Sequence, residues 1–480
     1  MRQLILLSII CLLFQVTLYA QTNEWHTQYV TFDNTTNGTL NRTSSVAVVD
    51  SNDFVALVTR GSVAGGNLIN YLVGYVDADS ANGRLGNPTG TGVAFWEYIL
   101  DHVDFADAWQ IAGGPNNLVY LANNDVNHNI LVFELTPTEV ASAPYRMETG
   151  TEEIWAIEVD ANGYVYVCAL NGTAANTAEV KVYPPVTDPN AAWGTTHDSP
   201  PIATIDLPDG VYRGITVSGD GSQVFISKSS ERSMLKYTGS PANGYTLDPS
   251  FNLTLDPNDL GIREDSTTFI PTLLGLAYMD DPGLVIAATD SIFYGGETSG
   301  YRYGRLYIID PTTGANLDTI DQARWNFEHA GDYSTGSNNG LWSGFASSYD
   351  VDVEATESAL YAQSWFGWQV EKWLFDGDLS VLLDIKQVTA NIPKDFALKQ
   401  NYPNPFNPAT TIEFDVRKAG QVTLEIYNLM GQKVATLIDE KLNPGIYQAV
   451  FDGSTLASGI YFYTLKADDF SAVKKMTLLK

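Results

Sequence analysis

The stretch Ile154–Leu170, with the sequence IWAIEVDANGYVYVCAL, decides the fold of this chain. A first apolar run ends at Val159, and a second run, rich in Tyr and Val, begins at Tyr164. The pair Asn162-Gly163 stands between them. Asn-Gly between two apolar runs predicts a β-hairpin with a two-residue turn, because both residues tolerate the positive φ that such a turn requires.

The hairpin pattern recurs along the chain. Its six copies begin at Ser45, Trp109, Ile154, Tyr212, Leu273 and Tyr349. Each copy is followed by a third apolar run and by a fourth, more variable one. Four short strands repeated at the spacing of these copies are typical of β-propeller blades. The first strand of each blade is covered on both faces and therefore reads as a continuous apolar run. The sequence therefore predicts an all-β chain with a six-bladed β-propeller over residues 21–390.

Two segments carry a family resemblance within the repeats. Asp160–Val167 (DANGYVYV) resembles the blades of NHL-repeat and gluconolactonase-like propellers, and Tyr307–Gly314 (YIIDPTTG) resembles the turn of YVTN-type propellers. The resemblance covers roughly residues 25–387 and implies the fold rather than a function. A ring of blades also needs a closing strand, which is either Trp25–Phe32 or the run SVLLDIKQ from Ser380.

The N-terminal residues have the features of an export signal. Arg2 precedes an apolar run over residues 4–18, and Ala20 ends a tolerable cleavage site, so residues 1–20 are predicted to be a signal peptide. A lipid anchor on Cys11 is the alternative, but Ile9 and Ile10 stand where small residues are expected. After cleavage no apolar run is long enough to span a membrane. Cys168 is then expected to be a small core residue.

The last ninety residues have a different texture. Asn401–Pro408 (NYPNPFNP) alternates Asn and Pro and excludes a helix. Apolar residues then recur with a period of two from Val422 to Ile426 and from Tyr461 to Leu465, which predicts a small immunoglobulin-like antiparallel β-sandwich over residues 391–480.

This segment resembles the type A C-terminal sorting domain of the type IX secretion system. The residues that carry the resemblance are Asn401–Pro408, Ile426-Tyr427-Asn428, Gly431–Val434, Ser458–Tyr461 and Lys474-Lys475-Met476. The family often has Trp-Asp-Gly where this chain has Phe451-Asp452-Gly453. The resemblance implies a Bacteroidetes or Ignavibacteria-like source, with the type IX secretion machinery as the partner of residues 391–480. It also implies a secreted or cell-surface location.

The charge distribution separates the two parts of the chain. Residues 391–480 carry 10 Lys and Arg against 9 Asp and Glu, whereas residues 21–390 carry 15 against 47. So acidic a surface repels nucleic acid and anionic lipid, and no nucleic-acid partner is expected. It suits a soluble extracellular protein, or one that binds divalent cations or cationic groups.

No catalytic motif stands out in the sequence. It has no nucleophile elbow, zinc-binding HExxH, CxxC, P-loop or dinucleotide fingerprint. Asp77-Ala78-Asp79 and Asp350-Val351-Asp352 place oxygen ligands at alternate positions, as calcium loops do, but both lack the spacing of an EF-hand. A binding function is therefore favoured over an enzymatic one, with no cofactor expected.

Two long segments rich in aromatic residues suggest where a ligand binds. Residues 290–303 join a second strand to a third strand, and residues 322–344 join two blades, so both are expected on the face where the first strands begin. Aromatic platforms with few polar groups suit a glycan or a peptide. The candidate ligand-binding residues are Tyr294, Arg302, Trp325, Trp342 and Trp365.

The alternative function is a calcium-dependent lactonase or esterase. Gluconolactonase-like propellers hold a divalent metal in the central channel, and this resemblance implies metal ligands at the mouths of the inner strands. The candidates on the same face are Glu153, Asp125, Asn171 and Asp290.

Overall fold

The structure is a computed structural model of the chain. It describes residues 25–31, 42–50, 53–61, 68–75, 84–85, 95–99, 110–125, 128–136, 139–140, 145–148, 154–169, 171–172, 178–186, 196–198, 200–255, 261–262, 268–269, 272–290, 304–322, 348–354, 359–364, 369–377, 379–389, 393–418, 420–442, 444–453, 456–467 and 470–480. The expected signal peptide, Cys11 and the motif at Asp77–Asp79 lie outside these residues.

Strands make up nearly all of the regular structure. The strands of the first half are β1 (Trp25–Thr31), β2 (Arg42–Asp50), β3 (Asp53–Gly61), β4 (Leu68–Tyr75), β5 (Arg84–Leu85), β6 (Phe95–Ile99), β7 (Gln110–Gly114), β8 (Leu118–Asp125), β9 (His128–Thr136), β10 (Glu139–Val140), β11 (Tyr145–Glu148), β12 (Ile154–Val159), β13 (Val165–Ala169), β14 (Asn171–Gly172), β15 (Glu179–Tyr183), β16 (Thr196–Asp198), β17 (Ala203–Asp206), β18 (Gly210–Val217), β19 (Gln223–Lys228), β20 (Ser233–Ser240) and β21 (Gly244–Leu247).

The second half continues the series. Its elements are β22 (Gly261–Ile262), β23 (Thr268–Phe269), β24 (Thr272–Met279), β25 (Leu284–Asp290), β26 (Arg305–Ile309), β27 (Asn316–Asp321), β28 (Ser348–Glu354), β29 (Ala359–Ser364), β30 (Gln369–Phe375), helix α1 (Ser380–Asp384), β31 (Ile385–Thr389), β32 (Ala397–Leu398), β33 (Ala409–Val416), β34 (Gly420–Asn428), β35 (Lys433–Leu442), β36 (Gly445–Asp452), β37 (Gly459–Ala467) and β38 (Phe470–Leu478). A 3-10 turn covers Ser229–Glu231.

Six sheets among the described strands before β31 share one topology, and β22 and β23 form a separate two-stranded sheet. The strand orders are β2-β3-β4-β6, β7-β8-β9-β11, β12-β13-β15-β17, β18-β19-β20-β21, β24-β25-β26-β27 and β28-β29-β30-β1, with short strands added at some edges. The first strands of successive sheets contact one another, and β28 contacts β2, so that they form a closed cycle. The predicted β-propeller is confirmed, and we call the sheets blades one to six.

The N-terminal strand closes the ring. β1 pairs antiparallel with β30 and becomes the outer strand of blade six. The alternative that SVLLDIKQ closes the ring is wrong. Residues 380–384 of that run form α1, and β31 pairs with β36 of the C-terminal sheets. Leu382 and Leu383 of this run pack on the apolar cluster between blades five and six.

The turn at Asn162-Gly163 differs from the prediction in its geometry. Beyond the register pair Val159–Val165, the Asp160 N–H donates to the Tyr164 carbonyl at 3.1 Å, so three residues rather than two connect the strands. Gly163 alone has a positive φ, of 86°, whereas Asn162 does not. The Asp160 carboxylate accepts hydrogen bonds from the backbone N–H groups of Asn162 and Tyr164, each at 2.9 Å. These hydrogen bonds stabilise the longer loop, in which Asn162 does not need the positive φ that a two-residue turn would require.

Apolar clusters lie between successive blades. One of them joins Ala156 and Tyr166 of blade three to Ile215 and Val224 of blade four. Cys168 belongs to it and is 1% exposed, as predicted for a core residue. Burial raises the pKa of its thiol to about 12, which keeps the sulfur protonated and inert.

The C-terminal part is a sandwich of two four-stranded sheets. Their orders are β31-β36-β33-β32 and β35-β34-β37-β38. Alternate residues such as Val422, Leu424 and Ile426 point into one shared core, as their period of two predicted. The prediction of an antiparallel β-sandwich is confirmed.

Candidate functional site

The six first strands surround a small cavity on the axis of the ring. We call the face on which these strands begin the upper face, and the cavity lies near it, at the first residues of the strands. Its volume is about 40 Å³. Every blade contributes to its lining, which consists of Ser44, Gln110, Trp155, Arg213, Leu274, Tyr349 and Asp350.

An arginine stacked on a tryptophan forms one wall. The guanidinium carbon of Arg213 on β18 lies 4.3 Å from the ring centroid of Trp155 on β12. Both side chains are half-buried. A guanidinium on an aromatic face gains cation–π attraction and keeps its planar fork of N–H donors oriented. This wall is the positive side of the cavity.

Asp350 forms the opposite, negative side. Its carboxylate accepts hydrogen bonds from Ser45 Oγ, from the Val46 backbone N–H at 3.3 Å and from Gln110 Nε2 at 3.2 Å. Gln110 in turn accepts from the Ile157 N–H at 3.0 Å. The side chain is 3% exposed, and burial raises the pKa of the Asp350 carboxyl to about 7 in spite of these donors. The network ties blades one, two, three and six together.

Two further carboxyl groups lie deeper along the axis. Asp352 on β28 accepts from the Val48 N–H at 2.7 Å, and Glu158 on β12 accepts from the Val159 N–H at 2.9 Å. Burial and, for Glu158, the nearby charge of Asp352 raise the pKa of both groups. The strands that carry them stand on opposite sides of the cycle, so the channel concentrates negative charge below the cavity.

Glycine lets the first strands approach closely enough to form this site. A Cβ on Gly275 would lie 2.2 Å from Asp350 Oδ1 and 2.6 Å from Asp350 Cα. A Cβ on Gly214 would lie 1.8 Å from the Leu274 carbonyl oxygen. Neither distance is compatible with a side chain, so the narrow bore of the ring at the cavity depends on these residues.

The residues predicted from the sequence fall around this site only in part. The candidate ligand-binding residues Tyr294, Arg302, Trp325, Trp342 and Trp365 all lie outside the described residues, as does Glu153. The other metal candidates lie at strand ends. Asp125 pairs with His128, Asn171 with Val211 and Asp290 with Thr272.

The predicted aromatic segments are anchored beside the cavity at their described ends. Residues 323–347 follow Gln322 and precede Ser348, and Ser348 Oγ donates to Gln322 Oε1. Gln322 Nε2 also donates to Glu371 Oε2 at 2.8 Å. Because Ser348 directly precedes Tyr349 and Asp350, the base of this segment is fixed next to the cavity. The segment after Asp290 likewise starts from the pair Asp290–Thr272, two residues from Leu274.

The sequence contained a signal for the cavity that its motifs did not reveal. The second residue of each hairpin copy after the first is a lining residue, namely Gln110, Trp155, Arg213, Leu274 and Asp350. Four of these five interrupt apolar runs with a polar or bulky side chain. Aligning the six copies and comparing this one position would have brought them together.

The described residues that line the cavity do not supply the ligand atoms that a calcium ion needs. Ca²⁺ takes six to eight oxygen ligands, among them several carboxylates. Asp350 is the one carboxylate among the described residues that line the cavity, and the Arg213 guanidinium shares the space. Elsewhere in the described parts of the chain, no group of three or more His, Cys, Asp or Glu side chains is arranged to hold a metal.

In the C-terminal sandwich, the segment NYPNPFNP forms backbone hydrogen bonds with the end of the chain at the last strand, β38. The Phe406 N–H donates to the Thr477 carbonyl at 2.9 Å, and the Leu479 N–H donates to the Phe406 carbonyl at 2.9 Å. Phe406 is 2% exposed and packs 5.9 Å from the ring of Phe451. Asn401, also buried, donates its backbone N–H to the Tyr463 hydroxyl at 2.8 Å. The segment thus covers one edge of the sandwich.

Comparison with known families identifies this part. Residues 400–478 match the family described as the secretion system C-terminal sorting domain. The C-terminal sandwich is a sorting domain of this family. The resemblance to the type IX sorting domain is confirmed, and the protein is secreted or located at the cell surface. No helix in the described residues is long and apolar enough to cross a membrane.

Solved structures that are similar to this chain include β-propellers. A gluconolactonase from Xanthomonas campestris is 11% identical, with a TM-score of 0.37, and the match covers 73% of this chain and 88% of that one. The calcium-binding protein regucalcin from Agrobacterium tumefaciens is 10% identical, with a TM-score of 0.38 and coverages of 72% and 94%. The propeller domain of Cps50 (Swd1) from Myceliophteria thermophila is 10% identical, with a TM-score of 0.38 and coverages of 69% and 83%.

These similarities are too distant to carry an activity over. No curated protein matches the chain. The assignment of the fold rests on the strand topology of the chain itself, and the function has to be argued from its own residues.

Proposed function

We propose that this protein is a secreted or cell-surface binding module, which binds a glycan or a peptide on the upper face of its propeller and catalyses no reaction. The sorting domain delivers the propeller to the cell exterior. The axial cavity is the centre of the binding surface.

One observation carries the proposal, namely that all six blades contribute to one cavity on the upper face. A site at the axis, where every blade meets, is shaped by the whole ring and is held rigidly. Its walls combine an aromatic face, a cation and hydrogen-bonding groups, which are the chemistry of a specific small site. The two aromatic-rich segments, by their described ends, start beside it and are expected to extend the surface around it.

Arrays of glycans and of peptides, probed with the chain that lacks residues 1–20, test the proposal. Ser44→Phe should fill the cavity and abolish binding, because the cavity has room for only a few atoms. Ser471→Phe adds the same bulk to an exposed position of the sorting domain and should leave binding unchanged. Thermal melts of both variants would separate loss of the site from loss of the fold. Equal binding by both folded variants, or no binding by the unaltered protein, would refute the proposal.

The calcium-dependent lactonase is tested by a different measurement. Metal analysis of the purified protein, with thermal melts before and after a chelator, should give no stoichiometric cation and no shift in Tm. A tightly bound metal that is lost together with lactonase activity would replace our proposal by the alternative. In that case Glu153, Asp125, Asn171 and Asp290 would be the ligands to mutate.

A further inference from the structure

The turn between β34 and β35 exposes two apolar side chains at one end of the sorting domain. We call residues 428–432 (NLMGQ) the hairpin tip. Within it Leu429 is 66% exposed and Met430 is 79% exposed. Such turn positions usually hold polar residues, Gly or Pro, because they face solvent. Leu429 and Met430 therefore contribute little to the packing of the domain that displays them.

The backbone of the hairpin tip is fixed by its own polar groups. Asn428 Oδ1 accepts hydrogen bonds from the N–H groups of Met430 and Gln432, each at 3.0 Å. The Gly431 N–H donates to the Asn428 carbonyl at 3.0 Å, and Gly431 supplies the positive φ, of 76°, that the turn requires. Because the turn is already ordered, less conformational entropy is lost when a partner binds Leu429 and Met430.

The outer face of the adjoining sheet continues this surface. Four residues that pair with one another form a row across β35, β34, β37 and β38 next to the hairpin tip, namely Lys433, Tyr427, Phe462 and Lys475. Their strand neighbours Ile426, Tyr463 and Met476 are buried in the core, so the row lies on the outer face. We call it the aromatic row, since it consists of two aromatic rings with a lysine at each end.

Three segments that carry the resemblance to the sorting family meet at this end of the sheet. They are residues 426–428, 431–434 and 474–476, and strand pairing brings them together across the sheet. Packing accounts for Ile426 and Met476, which belong to the core. It does not account for Lys475, which is exposed. Recognition by another molecule would explain why an outward-facing residue is part of this pattern.

We propose that the hairpin tip and the aromatic row form the surface through which the secretion machinery recognises this chain. The partner is a protein of that machinery, with an apolar pocket for Leu429 and Met430 and with acidic groups beside the pocket for Lys433 and Lys475. Rigidly held apolar side chains at the centre of a contact, with charged groups around them, are the usual anatomy of a specific protein interface. The surface belongs to the sorting domain, so the proposal is independent of the ligand of the propeller.

The charges of the chain favour an acidic protein as the partner. Residues 21–390 carry 15 Lys and Arg against 47 Asp and Glu, whereas residues 391–480 carry 10 against 9. An acidic partner is therefore repelled by the propeller and meets no such repulsion at the sorting domain, which favours the correct encounter.

An anionic lipid surface is the competing partner, because apolar side chains and lysines suit it as well. Even a myristoyl chain alone gives only marginal membrane binding, and the side chains of Leu429 and Met430 together are smaller than that chain. An extended anionic surface would also be repelled by the acidic propeller. These two arguments make a protein the favoured partner.

Export of the full chain by a bacterium with a type IX secretion system tests the proposal. The double variant Leu429→Ser with Met430→Ser removes both apolar side chains, and immunoblots compare the amount of protein outside the cell with the amount in the periplasm. We expect the exported fraction to fall at least about fivefold, because the loss of central apolar contacts removes much of the affinity. Val450→Ser is the matched control, since Val450 is exposed on β36 of the other sheet, and it should be exported like the parent.

Further variants separate the chemistry of the surface from its fold. The exchange Leu429→Met with Met430→Leu keeps the tip apolar and should leave export unchanged. Lys475→Glu should lower the exported fraction at least about twofold, because it would repel acidic groups of the partner. Lys418→Glu makes the same change at an exposed position before β34, at the opposite end of that strand from the tip, and should have no effect. Thermal melts of the chains lacking residues 1–20 check that each variant is folded.

The outcomes decide between the possible partners. Normal export of the folded double variant, or an equal loss in Val450→Ser, would overturn the proposal. The unaltered chain should not sediment with vesicles of phosphatidylcholine and phosphatidylglycerol, and sedimentation that the double variant abolishes would assign the tip to lipid instead. A dimer in sedimentation velocity that the double variant abolishes would assign it to a second copy of the chain. Ligand binding by the propeller should be the same in all these variants, so failure here leaves the proposed function in place.

Discussion

Replacing Asp350 by Asn should change how the stability of the propeller depends on pH. In the folded protein the carboxyl is buried and its pKa is raised to about 7 from an ordinary value of 3.8. A raised pKa means that the fold prefers the protonated form. Stability from this group is therefore fully present below about pH 4 and is lost as pH rises through 7.

The size of the effect follows from the shift. Three pKa units correspond to about 4 kcal/mol of unfolding free energy lost between pH 4 and pH 8, with a slope of up to about 1.4 kcal/mol per pH unit. Asn carries no charge and removes this term. Its amide cannot accept all the bonds from Ser45, Val46 and Gln110, which costs about 1–2 kcal/mol at every pH. The variant should therefore be less stable than the parent at about pH 3.5, where the parent has lost little of this term, and more stable at pH 8.

Urea unfolding followed by tryptophan fluorescence measures this in the full chain. All ten Trp residues precede residue 391, so the signal reports the propeller and not the sorting domain. The unfolding free energy of the variant should still fall with rising pH, because Asp352 and Glu158 also have raised pKa values. Asp220→Asn is the control of opposite sign. Hydrogen bonds from Ser222 and Ser218 lower the pKa of that exposed carboxyl, so it favours folding at higher pH. A constant difference between Asp350→Asn and the parent across this range would refute the reasoning.

Three further predictions concern the ring and the sorting domain. Gly275→Ala should lower the stability of the propeller by about 1–3 kcal/mol in the same urea assay, because its Cβ would overlap the Asp350 backbone; an unchanged midpoint would contradict the close approach of the strands. Phe406→Ala should lower the stability of the sorting domain by about 3–5 kcal/mol, measured by circular dichroism on heating, because it empties a buried site against Phe451. Deleting residues from 392 onward should leave a protein with propeller fluorescence in the periplasm, and its normal appearance at the cell surface would argue against the sorting role.

The repeat could be predicted because its determinants are local. Each first hairpin is defined by apolar runs and a turn within about fifteen residues, and the six copies begin within three residues of the observed inner strands. The predictions that were wrong concern segments whose structure depends on residues far away in the sequence. SVLLDIKQ is apolar enough for a strand in any sheet, and only its neighbours in space send residues 380–384 into a helix and Ile385–Thr389 into the sandwich.

The candidate site could be predicted only in outline for the same reason. The upper face and its two aromatic segments follow from the order of the strands, whereas the cavity requires that distant residues meet. Ser45 and Asp350 are 305 residues apart and join only when the ring is closed. The alternation of Asp350 and Asp352 is visible in the sequence, but neither Ser45 nor Asp350 carries an indication of its distant partner.

The polar centre of the ring is itself an argument for function. A channel of this width could be filled by apolar side chains, and replacing buried charged groups by well-packed apolar ones is often neutral or stabilising. The chain instead places a guanidinium, a carboxylate and an amide at one repeat position on three different blades. Between low pH and pH 7 the raised pKa of Asp350 alone makes folding less favourable by about 4 kcal/mol, since nearly all of this loss lies between the ordinary pKa of 3.8 and the raised value of about 7. The propeller is therefore less stable than it would be with apolar side chains at these positions. This loss lies at the place where all six blades can contact the same ligand.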